Sequence, residues 1–222
     1  MDFFDINTLF FEVWDYPMSY LEFFGTLAGA VAVWLSARAN IWSWPIGLIN
    51  VTLFFFLFFQ VQLYPDMFLQ AFFFVTNLMG WWRWSHPGPA EANQKKELKV
   101  SFMPGTQWVF FSIIGIAGTA LMGAMASNLH TWVPVIFKEP SAFPCLDSFV
   151  TVMSIMATYL MVHKKAECWL VWIAVDLVAC GLYVAKGIKF VAIEYLAFCF
   201  IAAFGFRHWM KEYKGYPTAA LL

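Results

Sequence analysis

NIWSWPIGLINVTLFFFLFFQ (residues 40–60) is the stretch from which the fold is read. Two tryptophans stand one residue apart, Trp42 and Trp44, and Pro45 and Gly47 follow. From residue 43 the chain runs apolar to residue 60, with Asn50 at mid-depth. Proline in the first turn suits a helix start. An apolar run of this length reads as a membrane-spanning helix, which needs about 20 such residues. The rest of the chain agrees: it is 62% hydrophobic and 12% charged, against roughly 25% charged for a soluble domain. Such a chain cannot cover its surface with polar groups in water.

Working outward, seven segments qualify as spans: 19–38, 43–60, 66–84, 106–126, 146–163, 168–185 and 189–209. Helix is the open structure that satisfies its own backbone in hydrocarbon, and no alternating barrel pattern occurs. Basic residues test the count. With seven spans, one side of the membrane receives Lys138, Lys186 and Lys189. The other receives Arg38, Arg83, Lys95, Lys96, Lys99, Lys164, Lys165, Arg207, Lys211 and Lys214. This asymmetry puts the N-terminus outside and the C-terminus in the cytoplasm. The run HPGPAEANQKKELK (86–99) is then a cytoplasmic linker, and Phe3, Phe4, Phe10, Phe11 and Trp14 form a short amphipathic segment at the outer interface.

Several function classes are disfavoured. A net charge of −1 gives no basic surface for nucleic acid. The cysteines, Cys145, Cys168, Cys180 and Cys199, show neither metal-ligand nor disulfide spacing and read as apolar packers. The start, rich in acidic residues and without a basic region, is no cleavable signal peptide. No phosphate-binding GxxxxGK[ST] loop and no HExxH motif occur. His86 and His130 fall in loops and His163 and His208 at span ends, all four as surface residues.

Across the linker the sequence answers itself at a spacing of 125 to 126 residues. Asn40, Trp42, Trp44 and Asn50 open span two. Glu167, Trp169, Trp172 and Asp176 open span six. Gly80 and Trp84 close span three as Gly205 and Trp209 close span seven. The expected fold is therefore an all-α integral membrane protein of seven helices, two parallel three-helix repeats joined by an inverting connector, 3+1+3. In that design substrate binds between the halves. The organisation reads as an outer N-terminal segment 1–18, first bundle 19–84, linker 85–105, connector and outer loop 106–145, second bundle 146–209 and cytoplasmic tail 210–222.

The pieces NIWSWPIG (40–47), Gln70…Asn77…GWWRW (80–84) and ECWLVWIAVD…YVAKG (167–187), taken together, resemble the PnuC-type vitamin transporters over most of residues 20–210. The resemblance implies the SWEET-related fold and a place in the bacterial inner membrane. It also implies facilitated uptake of nicotinamide riboside by alternating access, with trapping by cytoplasmic phosphorylation. No cofactor is implied, and the assembly would be a homo-oligomer, a trimer. Relatives of that family carry thiamine or riboflavin, so another vitamin on the same fold is the alternative. A membrane receptor is the more distant one, and a membrane enzyme lacks any paired nucleophile and base.

Polar groups at bilayer depth mark the candidate site, since a central Asp costs on the order of 3 kcal/mol on insertion scales. Asp176 lies near the middle of span six, and Trp169, Trp172 and Tyr183 share its helix face. Gln70, Phe73, Asn77 and Trp81 line up in span three. Span two offers Trp44 and Asn50 with Gly47 one turn away, and span seven offers Glu194. The expected substrate-binding set is Trp44, Asn50, Gln70, Phe73, Asn77, Trp172, Asp176, Tyr183 and Glu194. Rings would sandwich a cationic pyridinium, amides would meet ribose hydroxyls, and Asp176 would balance the charge. The bland reading is that the amides bridge helices and that Trp42, Trp81, Trp82 and Trp84 form an interfacial belt.

Overall fold

The structure, a computed structural model, describes residues 3–13, 16–60, 62, 64–132, 142–185 and 189–216. Asp2, Trp14, Asp15, Lys138 and Lys186 lie outside the described residues. A short hairpin, β1 (Leu9–Val13) and β2 (Tyr16–Ser19), leads into α1 (Tyr20–Ala37), α2 (Ser43–Gln60) and α3 (Tyr64–Ser85). Then follow α4 (Gly105–Trp132), α5 (Pro144–Val162), α6 (Cys168–Ala185) and α7 (Lys189–Lys214). Among the described residues five helices are long and apolar enough to cross a bilayer: α1, α2, α4 over Gly105–Asn128, α5 and α6. At 22 and 26 residues, α3 and α7 reach about 33 and 39 Å, enough for a core of about 30 Å. Their polar residues lower the hydropathy. The outside of the molecule is apolar: Phe68, Phe110, Ile116 and Phe200 are each exposed over more than two thirds of their surface, a surface suited to lipid tails.

The chain divides into two compact units: the second is Val100–Gly215, and the first takes Met1–Lys99 together with Tyr216–Leu222. In the first, α2 packs against both α1 and α3; in the second, α4, α5, α6 and α7 pack each against the next. The small residues of α4 permit its approach, with Gly118 against Val152 and Gly115 against Met153.

The two units are built alike at one fixed shift of 125 residues. Helix α1 ends at Arg38, and Ala39 turns left-handed at φ 53°. The Asn40 amide donates to the Leu35 carbonyl at 3.0 Å and the Ala39 amide to Ser36 at 2.9 Å. At α5 the same turn recurs: His163 caps the helix and Lys164 has φ 51°. There the Lys165 amide donates to Leu160, and Lys164 to Met161, both at 2.9 Å. This is the helix-ending pattern of paired 6→1 and 5→2 bonds. The bounds of α2 and α6, and the starts of α3 and α7, are displaced by the same 125 residues. Trp44 therefore answers Trp169, and Asp176 answers Val51; the counterpart of Asn50 is Val175. The expected match of Asn50 with Asp176 is one residue out, and one residue turns a helix by about 100°.

One packing device recurs with the shift. Trp44 meets Trp84 edge to face, centroids 5.3 Å apart at 88°, and Trp169 meets Trp209 at 5.6 Å and 87°. Each first indole lies on a glycine of the neighbouring helix. A Cβ on Gly80 would run into the Trp44 ring, and one on Gly205 would stand 2.7 Å from Trp169. Trp84 and Trp209 are fully buried. Trp84 is thus core rather than interfacial belt, whereas Trp42, Trp81 and Trp82 are exposed.

Other differences from expectation have local causes. The N-terminal segment contains a hairpin, which the sequence reading did not foresee. Phe10 packs on Tyr20 and Phe23, and Gln60 ties the segment down, its Nε2 donating to the Phe4 carbonyl at 2.6 Å and its Oε1 accepting from the Ile6 amide at 3.0 Å. Ser19 then caps α1, accepting from the Glu22 amide at 3.2 Å. Helix α4 runs through His130 to Trp132, and α7 through His208 to Lys214; the end of α7 carries Arg207, Met210, Lys211 and Glu212, which favour helix beyond the apolar run. The linker is ordered: Arg83 grips both Glu91 oxygens at 2.8 Å, and the Leu98 amide donates to Trp84 at 2.9 Å. In the second unit the Met103 amide donates to the Glu167 carboxylate at 2.7 Å.

The glycine seats give a direct test. Gly80→Ala and Gly205→Ala should each destabilise the protein by about 1–3 kcal/mol, since a buried indole has no room to retreat. Thermal unfolding in detergent would read this as a lower midpoint, while Gly105→Ala, with open space around it, should change little.

Candidate functional site

Along α6, Trp172, Asp176, Cys180 and Tyr183 recur at helical spacing on one face. Asp176 stands eight residues after Cys168, at the middle of the helix, and is 3% exposed. No described cation pairs with its carboxylate, and no hydrogen bond from a described residue reaches it. Helix α7 faces it with Tyr195 and Cys199, both close enough to feel the Asp176 charge. Tyr183 and Tyr195 stack at 5.4 Å and 13°, about 10 Å along α6 from Asp176. The indole Nε1 of Trp172 is buried without a partner among the described residues. A carboxylate and an indole N–H left unanswered in an apolar interior are costly, and groups of this kind gain from a ligand that satisfies them.

The first unit presents the corresponding face in apolar form. Val51, Phe55, Gln70 and Phe74, counterparts of Asp176, Cys180, Tyr195 and Cys199 at the shift of 125, line an open groove of about 370 Å³ between α2 and α3. Gln70 is the polar side chain in that wall best able to reach a ligand, because the neighbouring Thr52 hydroxyl already donates to the Leu48 carbonyl at 2.7 Å. One face is charged and aromatic; the other is aromatic with a single free amide.

The other expected residues lie as follows. Asn50 donates through Nδ2 to the Gly25 carbonyl at 2.8 Å and lies against Gly29. This is a clasp between α1 and α2. Asn77 donates to Phe73 at 2.8 Å, and its Oδ1 occupies the space that Gly47 leaves open. Phe73 is half-buried beside Phe72. Trp44, at 5% exposure, is core, because Gly80 accepts its ring. Glu194 is exposed near the start of α7. Sequence reasoning placed Tyr195 beside Glu194 on span seven but not in the binding set, and it missed Cys180, Cys199, Phe55 and Phe74. The signal lay in the repeat: applied at a strict 125, it carries Gln70 onto Tyr195 and Phe74 onto Cys199.

Comparison with known proteins settles the family. The model of the nicotinamide mononucleotide transporter family matches residues 19–211. The chain belongs to that family. The nicotinamide riboside transporter PnuC of Escherichia coli strain K12 is 31% identical, covering all of this chain and 99% of its own. The riboflavin/roseoflavin transporter RibM of Streptomyces davaonensis is 24% identical over 92% of this chain and 91% of its own. The crystal structure of the vitamin B3 transporter PnuC shares the fold, with a TM-score of 0.63 at 22% identity, over 88% of this chain and 82% of that one. A multi-pass membrane transporter is thereby identified, and the nicotinamide mononucleotide transporter family includes it.

The opposite roles read for Asn50 and Asp176 predict opposite stability effects. Asn50→Ala should lower the unfolding midpoint in detergent, by about 1 kcal/mol for a lost interhelical bond. Asp176→Asn should leave it unchanged or raise it, because no described partner is lost. A fall of similar size in both variants would assign Asp176 to the scaffold.

Proposed function

We propose that the chain mediates facilitated uptake of nicotinamide riboside across the bacterial inner membrane by alternating access, with cytoplasmic phosphorylation trapping the vitamin. In this reading it is no enzyme, it assembles as a homo-oligomer, a trimer, and its N-terminus is outside. The seven helices form a 3+1+3 arrangement, with bundles 19–84 and 146–209 around a connector within 106–145. Matching helix bounds at one shift support this, as does the asymmetry of basic residues.

The observation that carries the reading is Asp176, a buried carboxylate in mid-helix without a described counter-ion. Nicotinamide riboside brings the missing positive charge on a flat pyridinium ring. Trp172, Tyr183 and Tyr195 offer aromatic faces, worth about 1–2 kcal/mol for a desolvated cation. The amide of Gln70 is suited to a carboxamide or a ribose hydroxyl, and Phe73, Phe55 and Phe74 offer apolar surface near it on α2 and α3. Asn77 and Glu194 would border the path. Trp44 and Asn50 support it from within their unit.

The same charges choose between the two ligands in the names of the relatives. A mononucleotide adds a phosphate, and the helices carry Lys and Arg only near their ends. A phosphate beside Asp176 would meet repulsion with no cation to offset it. The riboside fits and the mononucleotide does not. A positive ligand would also gain about 2.3 kcal/mol per 100 mV on moving to a negative interior, so uptake needs no coupled ion.

Equilibrium binding to the purified protein tests the proposal. Nicotinamide riboside should bind, nicotinamide mononucleotide should not, and Asp176→Asn should weaken the riboside roughly tenfold or more. Binding of riboflavin or thiamine in its place would move the protein to a sister specificity. In proteoliposomes, riboside uptake should persist when an uncoupler removes the proton gradient; abolished uptake would contradict passive transport.

A further inference from the structure

One face of α7 is a single exposed stripe. Ile193, Leu196, Phe200 and Phe204 follow one another at spacings of three and four, and all are exposed, Phe200 at 70%. Arg207, Lys211 and Lys214 continue the same line at the same spacings, and they too are exposed. A helix of 26 residues exceeds a hydrocarbon core of about 30 Å by about 9 Å. Its last turns therefore stand at headgroup level, where the stripe changes from apolar to cationic.

Position at a helix C-terminus favours cations in general, but it does not sort them onto one face. Here they are sorted. Glu212 and Tyr213 turn to other faces and are half-buried, and Tyr213 packs edge to face on Phe102 at 4.8 Å. No described carboxylate pairs with Arg207, Lys211 or Lys214. The corresponding face of α3 is built otherwise. Phe68, Val75 and Met79 are exposed as before, but the stripe closes with Trp82 and His86, whose rings stack at 5.6 Å and 19°. The first unit ends its stripe in an aromatic belt, the second in three cations without a carboxylate partner among the described residues.

We propose that this face of α7 holds an anionic phospholipid, its acyl chain along Ile193–Phe204 and its phosphate among Arg207, Lys211 and Lys214. Placing that lipid in the cytoplasmic leaflet rests on the orientation proposed above. Retention of the lipid itself does not, because it is read in detergent, where sidedness does not enter. Clustered Lys and Arg at the cytoplasmic end of a spanning helix recognise anionic headgroups in this way, each at about fivefold in affinity.

The experiment is native mass spectrometry of the full-length protein with phosphatidylglycerol or phosphatidylcholine of the same acyl chains. The protein should retain phosphatidylglycerol in preference. Arg207→Gln/Lys211→Gln/Lys214→Gln should reduce that retention roughly tenfold or more, with phosphatidylcholine unaffected. A charge-matched control, Lys95→Gln/Lys96→Gln/Lys99→Gln, should change it less than about twofold. The unfolding midpoint confirms that the triple variant folds; if it does not, Lys211→Gln alone carries the test, with about a threefold to fivefold loss. Equal retention of the two lipids, or equal losses in both triple variants, would overturn the proposal. Inorganic phosphate displacing the lipid fully would assign the cations to a free anion, and oligomer dissociation in the α7 variant alone would make the face a subunit contact; either result also overturns it.

Discussion

Each unit depends on an indole laid on a glycine. Trp44 on Gly80 and Trp169 on Gly205 bring α2 against α3, and α6 against α7, closer than any side chain at those positions would allow. Between apolar helices in lipid, close approach and dispersion replace the hydrophobic effect as the binding force. The edge-on rings of Trp84 and Trp209 fill the remaining space. This fixes the rotation of each helix pair. That rotation decides which side chains share a face: Asp176, Cys180, Tyr195 and Cys199 in one unit, Val51, Phe55, Gln70 and Phe74 in the other.

Two copies of one scaffold have thus been given different surfaces. Where the first unit has Val51, the second has Asp176; where the first has Gln70, the second has Tyr195. A carboxylate among rings suits a flat cationic group, and an amide among rings suits a group that offers both donors and acceptors. Two amides hold the scaffold: Asn50 ties α2 to α1 through the Gly25 carbonyl, and Asn77 fills the hollow at Gly47.

Much of the fold was legible in the sequence. Apolar length alone placed α2 and α6 at their observed bounds, because each is closed by a turn or by polar residues at both ends. The ends of α4 and α7 were less legible, since a helix continues past the membrane wherever propensity allows, and hydropathy stops reporting there. The N-terminal hairpin was missed because Phe10 and Phe11 are adjacent, and a strand with a bulge between Leu9 and Phe11 breaks the alternation that announces strands. At the candidate site, Asp176 stood out by cost, as a charge at bilayer depth must. Asn50 and Asn77 stood out for the same reason and turned out to clasp neighbouring backbone, which polarity alone does not distinguish from ligand contact. Cys180 and Cys199 were invisible because thiols are cheap in lipid. Only their register against the first unit singles them out.

The account turns on whether the α6–α7 face around Asp176 lines the path of the ligand. Cys180 and Cys199 are native reporters on that face, and Cys145, at the start of α5, lies off it. The most direct measurement is the rate of N-ethylmaleimide labelling at each cysteine, read by peptide mass spectrometry, with and without nicotinamide riboside. The account predicts that the riboside slows labelling of Cys180 and Cys199 and leaves Cys145 unchanged. Labelling that the riboside leaves unaltered at all three, although it binds, would contradict it.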